Sequence, residues 1–334
     1  MRREAPLGAG VEASGGQIPG ERAATLHLRL QSVRYVARSI LAFELVAPDG
    51  AMLPRAQAGA HIGLHLPNGI MRQYSLLHTP AVPRAYEIAV KLDPASRGGS
   101  RFMHEGLRVG TLLPIDPPRN NFPLATDATD SLFFAGGIGI TPILAMVEAL
   151  ASRGQRGKLW YACRERAELA FEAALGRSAD LQVHVDEEQG RIFDLAAALA
   201  AAPRTAHLYC CGPSPMLAAF AAATREWPAR QIHIEYFTPR APAALAGGFT
   251  VALARSGREL HIPAGKTILQ VLRDAGIEVS SSCEEGICSA CETRVLEGVP
   301  DHRDSILSDE ERASGRTMMI CVSGSKSPRL LLDL

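Results

Sequence analysis

Three cysteines fall within nine positions of "CEEGICSAC": Cys283, Cys288 and Cys291. A fourth, Cys321, follows after 29 intervening residues. Thiolates are soft ligands that suit zinc or iron. Zinc sites more often pair two C-x2-C knuckles or recruit histidines. The C-x4-C-x2-C run with one distant cysteine matches the plant-type [2Fe-2S] pattern instead. A structural zinc loop or incidental thiols remain the plain alternative. Gly286 inside the run supplies a backbone conformation that a side chain would resist. The hydroxyls of Ser281, Ser282 and Ser289 could add donors toward the sulfides. The other three cysteines, Cys163, Cys210 and Cys211, lie in apolar strand-like runs and read as buried small residues.

Upstream, "RQYS" sets Arg72, Gln73, Tyr74 and Ser75 in a row. A guanidinium can grip a phosphate through two bonds, and an aromatic face and a hydroxyl suit a flat heteroaromatic ring. In "SRGGSRFMH", Gly98, Gly99 and Ser100 precede a short helix, so their backbone N–H groups can aim at a phosphate. "AGGIGITPILAM" follows a strand and opens a helix. Its Gly136, Gly137 and Gly139 permit close approach of a pyrophosphate, Thr141 is placed to cap, and Pro142 suits the first helical turn. This is not the dinucleotide G-x-G-x-x-G fingerprint. A solvated Arg–Tyr pair and ordinary turns are the competing readings.

These residues need elements to hold them. Over residues 26–124, short alternating runs such as "HIGLHLP" and "YEIAVKL" are punctuated by Pro-Asp-Gly and Pro-Asn-Gly turns, which implies an antiparallel barrel. Over residues 130–235 strands alternate with helices: "SLFFAGG", then "TPILAMVEALASRG", "GKLWYACR", "AELAFEAALGR", "LQVHVDE", "HLYCCGP" and "QIHIEYF". That alternation means parallel βαβ units in a doubly wound α/β sheet. Residues 238–248 read as a linker rich in Pro, Ala and Gly. Beyond it come a hairpin, the helix "TILQVLRDAG" and the cysteine loop. The expected division is a flexible tail at 1–24, a barrel at 25–126, an α/β domain at 127–237, the linker, and a domain carrying the cysteine loop at 249–334.

The chain has 334 residues, 47% of them hydrophobic, with 35 Lys and Arg against 35 Asp and Glu. No global charge favours nucleic acid or an anionic membrane. The N-terminal stretch lacks the apolar core of a secretory signal, and no apolar run reaches the length of a membrane span. A cytoplasmic location follows as the expectation, and it fits cysteines kept reduced for metal binding.

The cysteine segment resembles the ferredoxin-like domain of flavin-dependent oxygenase reductases, whose fold is a β-grasp (α+β). Glu285 and Ser289 stand where that family usually has Gln and Gly. The "RQYS" and "SRGGS" motifs together resemble the flavin domain of the ferredoxin reductase superfamily. "CGP", Cys211-Gly212-Pro213, resembles that superfamily's nicotinamide-side motif, in which the cysteine lies near the hydride-transfer position. Glu235 and Phe237 in "EYF" match the place where an aromatic ring covers the flavin, and Arg164 stands where such enzymes contact the adenosine ribose. The resemblance thus implies Cys211, Phe237 and Ser75 at the transfer site.

Over residues 26–334 the order of parts is similar to that of the phthalate dioxygenase reductase and vanillate demethylase reductase group. This implies FMN, NADH and a [2Fe-2S] cluster as cofactors. It also implies a terminal oxygenase of the Rieske type, acting in aromatic catabolism, as partner. Nicotinamide delivers two electrons as a hydride whereas such a cluster accepts one, and a flavin can divide the pair. The alternatives are a reductase for a ferredoxin, haem or other non-Rieske acceptor, and a zinc-stabilised nucleotide-binding protein.

Overall fold

A computed structural model describes residues 25–334; the tail expected at 1–24 lies outside the described residues. Three large sheets and one two-stranded pair hold the strands of the described residues.

The first is antiparallel throughout. Its strands are β1 (Leu26–Ala37), β2 (Ile40–Val46), β3 (His61–His65), β4 (Met71–Ser75), β5 (Ala85–Lys91) and β6 (Leu112–Arg119), ordered β4-β3-β6-β1-β2-β5. The two edges meet just past β4, where Leu76 bridges to Ile88 and Leu77 N donates to Glu87 O at 2.9 Å. That contact closes a barrel. Leu30, Phe43, Ile62, Leu64, Ile88 and Ile115 fill it without solvent exposure. A single helix, α1 (Gly99–Glu105), interrupts the strands between β5 and β6.

The second sheet comprises β7 (Ser131–Gly136), β8 (Gly157–Cys163), β9 (Ala179–Val185), β10 (His207–Cys211) and β11 (Ile232–Glu235). It is parallel, in the order β11-β10-β7-β8-β9. The connections carry α2 (Ile140–Ala151), α3 (Glu172–Ser178), α4 (Asp186–Gln189), α5 (Leu195–Ala200) and α6 (Ser214–Ala223). Strand order reverses between β7 and β10, and a crevice for a ligand opens outside the carboxyl ends of strands at such a reversal. The glycines of residues 136–139 and the Cys211-Gly212-Pro213 turn lie at those two ends.

The helix expected over "AELAFEAALGR" forms only in its second half. Arg166–Glu168 is a single 3-10 turn, and Phe171 takes a left-handed φ of 60° before α3 begins. The cause is the barrel. Ala167 O accepts from Arg38 N at 2.8 Å, Glu165 pairs with Arg38, and Lys91 reaches Glu168 at 3.0 Å. These contacts hold the segment off the helical path.

The third sheet is mixed. Its strands β12 (Phe249–Leu253), β13 (Glu259–Ile262), β14 (Glu292–Glu297), β16 (Thr317–Met319) and β18 (Arg329–Leu332) run in the order β13-β12-β18-β14-β16, with β12 and β18 parallel. A short pair, β15 (Pro300–Asp301) and β17 (Gly324–Ser325), stands beside it. Helix α7 (Ile268–Asp274) opens with a capping box between Thr267 and Gln270 and lays Ile268, Leu269 and Leu272 into the core. A final helix, α8 (Asp309–Ser314), follows the cysteine loop. This is the β-grasp arrangement. No helix of the described residues is long and apolar enough to cross a membrane.

A further charged clamp joins the barrel to the second sheet. His78, in the loop after β4, places Nδ1 2.6 Å from Glu148 Oε2 on α2 and Nε2 3.4 Å from Glu87 Oε2 on β5. The bonds to Glu148 and Glu87 raise the imidazole to about 9 against the opposing effect of burial. A histidine raised in the folded state stabilises fully below its ordinary value near 6.5, and that contribution is lost as pH rises through the folded value. We therefore expect thermal stability to decline between pH 6.5 and 9 by about 1 kcal/mol, because solvent screens the half-exposed pair. His78→Gln should remove that part of the slope, measured as melting temperature against pH in both proteins.

Candidate functional site

A cavity of about 270 Å³ lies where the three sheets meet. Its wall takes Arg72, Gln73, Tyr74 and Ser75 from β4, Thr141 from α2, Phe237 from just beyond β11, and Cys283 from the cysteine loop. Ser100 of α1 also lines it. Five separately predicted motifs thus share one space.

Several polar groups there lack partners. Ser75 Oγ, His61 Nε2 and Glu235 Oε2 are buried and make no hydrogen bond within the protein. Each such group carries a desolvation cost of about 1–3 kcal/mol. Burial, with the Arg119 charge nearby, lowers the His61 imidazole to about 4, so it is neutral. Burial raises the Glu235 carboxyl to about 8 and the Tyr74 phenol to about 12. A flat molecule with donors and acceptors along its edge would satisfy all three orphaned atoms without importing charge.

The Arg72 end of the cavity is built by absence of a side chain. A Cβ on Gly99 would lie 2.9 Å from Arg72 Cγ and Nε, so glycine lets the arginine cross the start of α1. The guanidinium donates to Met71 O at 2.7 Å and keeps its other N–H groups. One expectation fails here. The Gly98 amide donates to Ser96 Oγ at 3.2 Å and is not free for a phosphate; Arg72 and Ser100 are among the polar residues that line this part of the cavity, with Ser96 and Arg97.

At the carboxyl ends of β7 and β10 the two turns pack on each other. A Cβ on Gly139 would lie 2.2 Å from Cys211 O, and one on Gly136 would lie 2.6 Å from Pro213 Cδ. Gly137, at a φ of 53°, turns the chain between them, and Gly212 faces Gly136 across the gap. Thr141 does not cap α2. The N-cap is Gly139, two positions earlier, and Thr141 Oγ1 donates to Ile138 O at 3.0 Å; Pro142 stands in the first turn as expected.

Cys211 is fully buried and outside the cavity wall, beside Glu235 in the ladder between β10 and β11. Burial pushes its thiol well up, so it is a neutral packing group. Arg164 is exposed at the end of β8 and is not gathered into the cavity. Phe237 is 36% exposed where it lines the cavity.

The four remaining cysteines form two touching pairs. Cys283 N donates to Cys288 Sγ at 3.4 Å, and both the Glu285 and Ile287 amides aim at Cys283 Sγ, at 3.3 and 3.5 Å. Cys288 is held below the ordinary thiol value by its contact with Cys283, helped by backbone amides. Contact with Cys321, and then burial, push Cys291 up. Among the described residues no three His, Cys, Asp or Glu side chains surround a single point; the thiols are arranged as two pairs, the donor set of a centre with two irons. Amides aimed at sulfur are the second-sphere donors such a centre uses. Gly286, at a φ of 68°, is required by packing as well, since a Cβ would lie 2.6 Å from Val322 Cγ2.

The hydroxyls predicted to face the sulfides point elsewhere. Ser281 Oγ accepts from Arg273, Ser289 Oγ donates to Cys288 O and Asn121, and Ser282 Oγ engages the barrel. Among the polar cavity residues, His61 was not named by motif reading, and Glu235 was named by position without a role of its own. Glu235 was legible as a carboxyl ending an apolar strand. His61 carried no local signal.

Residues 251–325 match the family described as Fer2, the 2Fe-2S iron-sulfur cluster binding domain. Phenoxybenzoate dioxygenase subunit beta of Ectopseudomonas oleovorans is 50% identical over 93% of this chain and 98% of its own length. Vanillate O-demethylase oxidoreductase of Pseudomonas sp. (strain HR199 / DSM 7063) is 44% identical over 91% and 98%. A solved structure described as phthalate dioxygenase reductase, a modular structure for electron transfer from pyridine nucleotides to [2Fe-2S], superposes with a TM-score of 0.68. It is 40% identical and covers 93% of this chain and 98% of that one.

Gly139→Ala should force Cβ against the Cys211 carbonyl and lower stability by about 1–3 kcal/mol, as overpacking does. It should also weaken NADH binding. Thermal unfolding and NADH titration of the purified variant check both.

Proposed function

We propose, on the premise that this chain belongs to the family of phthalate dioxygenase reductase and vanillate O-demethylase oxidoreductase, that it is the reductase component of a multicomponent oxygenase of the Rieske type. It is an NADH-dependent flavin and iron-sulfur oxidoreductase. The observation that carries the reading is the shared cavity, whose wall includes Ser75 of the flavin motif, Phe237 beside the nucleotide sheet and Cys283 of the cluster loop. The division of labour is a barrel at 25–126 for FMN, residues 127–237 for NADH, and residues 249–334 for the cluster, with a linker at 238–248.

When bound, the flavin supplies the exchange between paired and single electrons, and the cluster supplies the single-electron outlet. The protein's part is placement. Arg72 and Ser100 would hold the phosphate, with Gly98 and Gly99 giving room. Tyr74 is neutral at any physiological pH and presents an aromatic face. Ser75 Oγ and His61 Nε2 would bond the ring edge, and Gln73 lines the same wall. Phe237 covers the mouth and excludes water until nicotinamide displaces it. Gly136, Gly137, Gly139, Thr141, Pro142, Gly212 and Pro213 shape the seat of the dinucleotide, and Arg164 stands at its adenosine end. Cys211 sets the spacing beneath. Glu235 holds a proton on its carboxyl below about pH 8, which keeps a fixed negative charge away from the transfer site.

Cys283, Cys288, Cys291 and Cys321 would hold the iron. Plant-type clusters lie near about −400 mV and Rieske centres at roughly −150 to +300 mV, so passage to a Rieske partner runs downhill. The dioxygenase and demethylase names of the relatives support an oxygenase partner and a small aromatic substrate for it. A cytoplasmic location belongs to the same proposal, since NADH and a pool that keeps thiols reduced are found there.

Cys288→Ser should abolish delivery to one-electron protein acceptors and leave NADH-driven flavin bleaching within about twofold of the parent. Stopped-flow absorbance with and without cytochrome c measures both. Loss of both activities would contradict the division of labour.

A further inference from the structure

Ser282, immediately before Cys283, sends its hydroxyl across a domain boundary. Oγ donates to Asp116 Oδ2 at 2.5 Å and accepts from Gln73 Nε2 at 2.8 Å. Asp116 lies on β6, and Gln73 lies on β4 between Arg72 and Tyr74, so both partners belong to the barrel.

The carboxylate is held in place for this contact. Its other oxygen, Oδ1, is 2.7 Å from His65 Nε2. The residue facing it on β3 is Gly63, where a Cβ would lie 2.6 Å from Asp116 Oδ2. A missing side chain thus opens a slot through which the carboxylate reaches the cluster loop.

Two other contacts cross the same boundary. Ser289 donates to Asn121 at 3.1 Å, and Arg97 pairs with Glu285. The Arg97 side chain is 70% exposed, and exposed pairs of this kind contribute little. Asp116 is only 21% exposed, and a hydrogen bond to a carboxylate is roughly twice as strong as a neutral one. The Ser282 contact therefore dominates the junction.

We propose that the Ser282 hydroxyl, clamped between Asp116 and Gln73, is the positioning element that seats the cluster loop against the flavin strand and thereby sets the rate of electron passage from flavin to cluster. This rests on the reading that a flavin fills the cavity and the four thiols hold iron. Gln73 ties the clamp to the strand that carries the flavin motif, and Ser282 ties it to the first cluster ligand. A shift of the loop lengthens the gap between the two groups and leaves NADH access unchanged. The network makes no contact with the ends of β7 and β10.

The test uses the full-length protein loaded with flavin and iron, and the variants Ser282→Ala, Ser282→Thr and Asp116→Leu. NADH-driven flavin bleaching should keep its wild-type rate in all three. The following reduction of the cluster should slow about tenfold in Ser282→Ala and Asp116→Leu, equivalent to 1.4 kcal/mol. Ser282→Thr, which keeps the hydroxyl, should stay near wild type. Independently of electron flow, hydrogen exchange over residues 281–291 should quicken in Ser282→Ala and Asp116→Leu but not in Ser282→Thr.

Iron content is measured in each variant. Should Ser282→Ala lose iron because it adjoins a ligand, Asp116→Leu decides, since that residue touches no thiol. Cluster reduction and exchange at wild-type rates in iron-replete Asp116→Leu would overturn the proposal. A wild-type protein whose cluster NADH never reduces would overturn the proposed function instead, and the two failures are distinguishable.

Discussion

Unpaired polar atoms buried in a protein are costly, and this chain aims three of them at one space. Ser75 Oγ, His61 Nε2 and Glu235 Oε2 come from two different sheets, and none finds a partner within the protein. Bonding them internally would have been simple for a barrel rim or a strand end. Leaving them open makes sense if a ligand completes the site, and the neutral states of His61 and Glu235 at physiological pH make their part of the wall polar without adding charge. The rest of the architecture keeps that wall assembled. The barrel supplies the flavin strand, the switch between β7 and β10 supplies a dinucleotide crevice, and the β-grasp sheet carries its cysteine loop to the same mouth.

Three folds must stay in register for this to work. The barrel shares one apolar core with the second sheet, in which Leu77 and Phe122 are buried with Ile143 and Tyr209, and polar contacts fix the geometry around it. The segment after β8 abandons a helix to bind Arg38 and Lys91 of the barrel, and His78 bridges Glu87 and Glu148. The cluster loop is tied down by Ser282, Ser289 and Glu285. The hydrogen-bonded tie at the cluster loop fixes geometry between domains that must sit close and still admit NADH and a protein acceptor.

Much of this was legible along the chain, for identifiable reasons. The cysteine loop, the "RQYS" strand and the glycine turns are local signals, set by backbone requirements within a few residues. Strand alternation in 26–124 and the strand and helix alternation in 130–235 announced a barrel and a parallel sheet. What escaped was non-local. Asp116 and Ser282 meet across 166 positions of sequence, and no periodicity encodes such a pair. The start of α3 was misplaced because the barrel contacts outweigh the helical propensity of residues 167–171. Thr141 looks like a cap in sequence, yet the helix begins two residues earlier, where Gly139 packs on Cys211. The serines of the cluster loop were read against the nearest chemistry, the sulfides, whereas Ser282 bonds the barrel strands and Ser281 bonds Arg273 of α7.

The central claim is that paired reducing equivalents enter at the flavin cavity and leave singly through the thiol-held iron. Electron paramagnetic resonance of the anaerobic protein after addition of NADH alone tests it most directly. The account predicts the signal of a reduced [2Fe-2S] centre, at an intensity matching the iron content. Bleaching of the flavin by NADH with a cluster that stays silent until a stronger chemical reductant is added would contradict it.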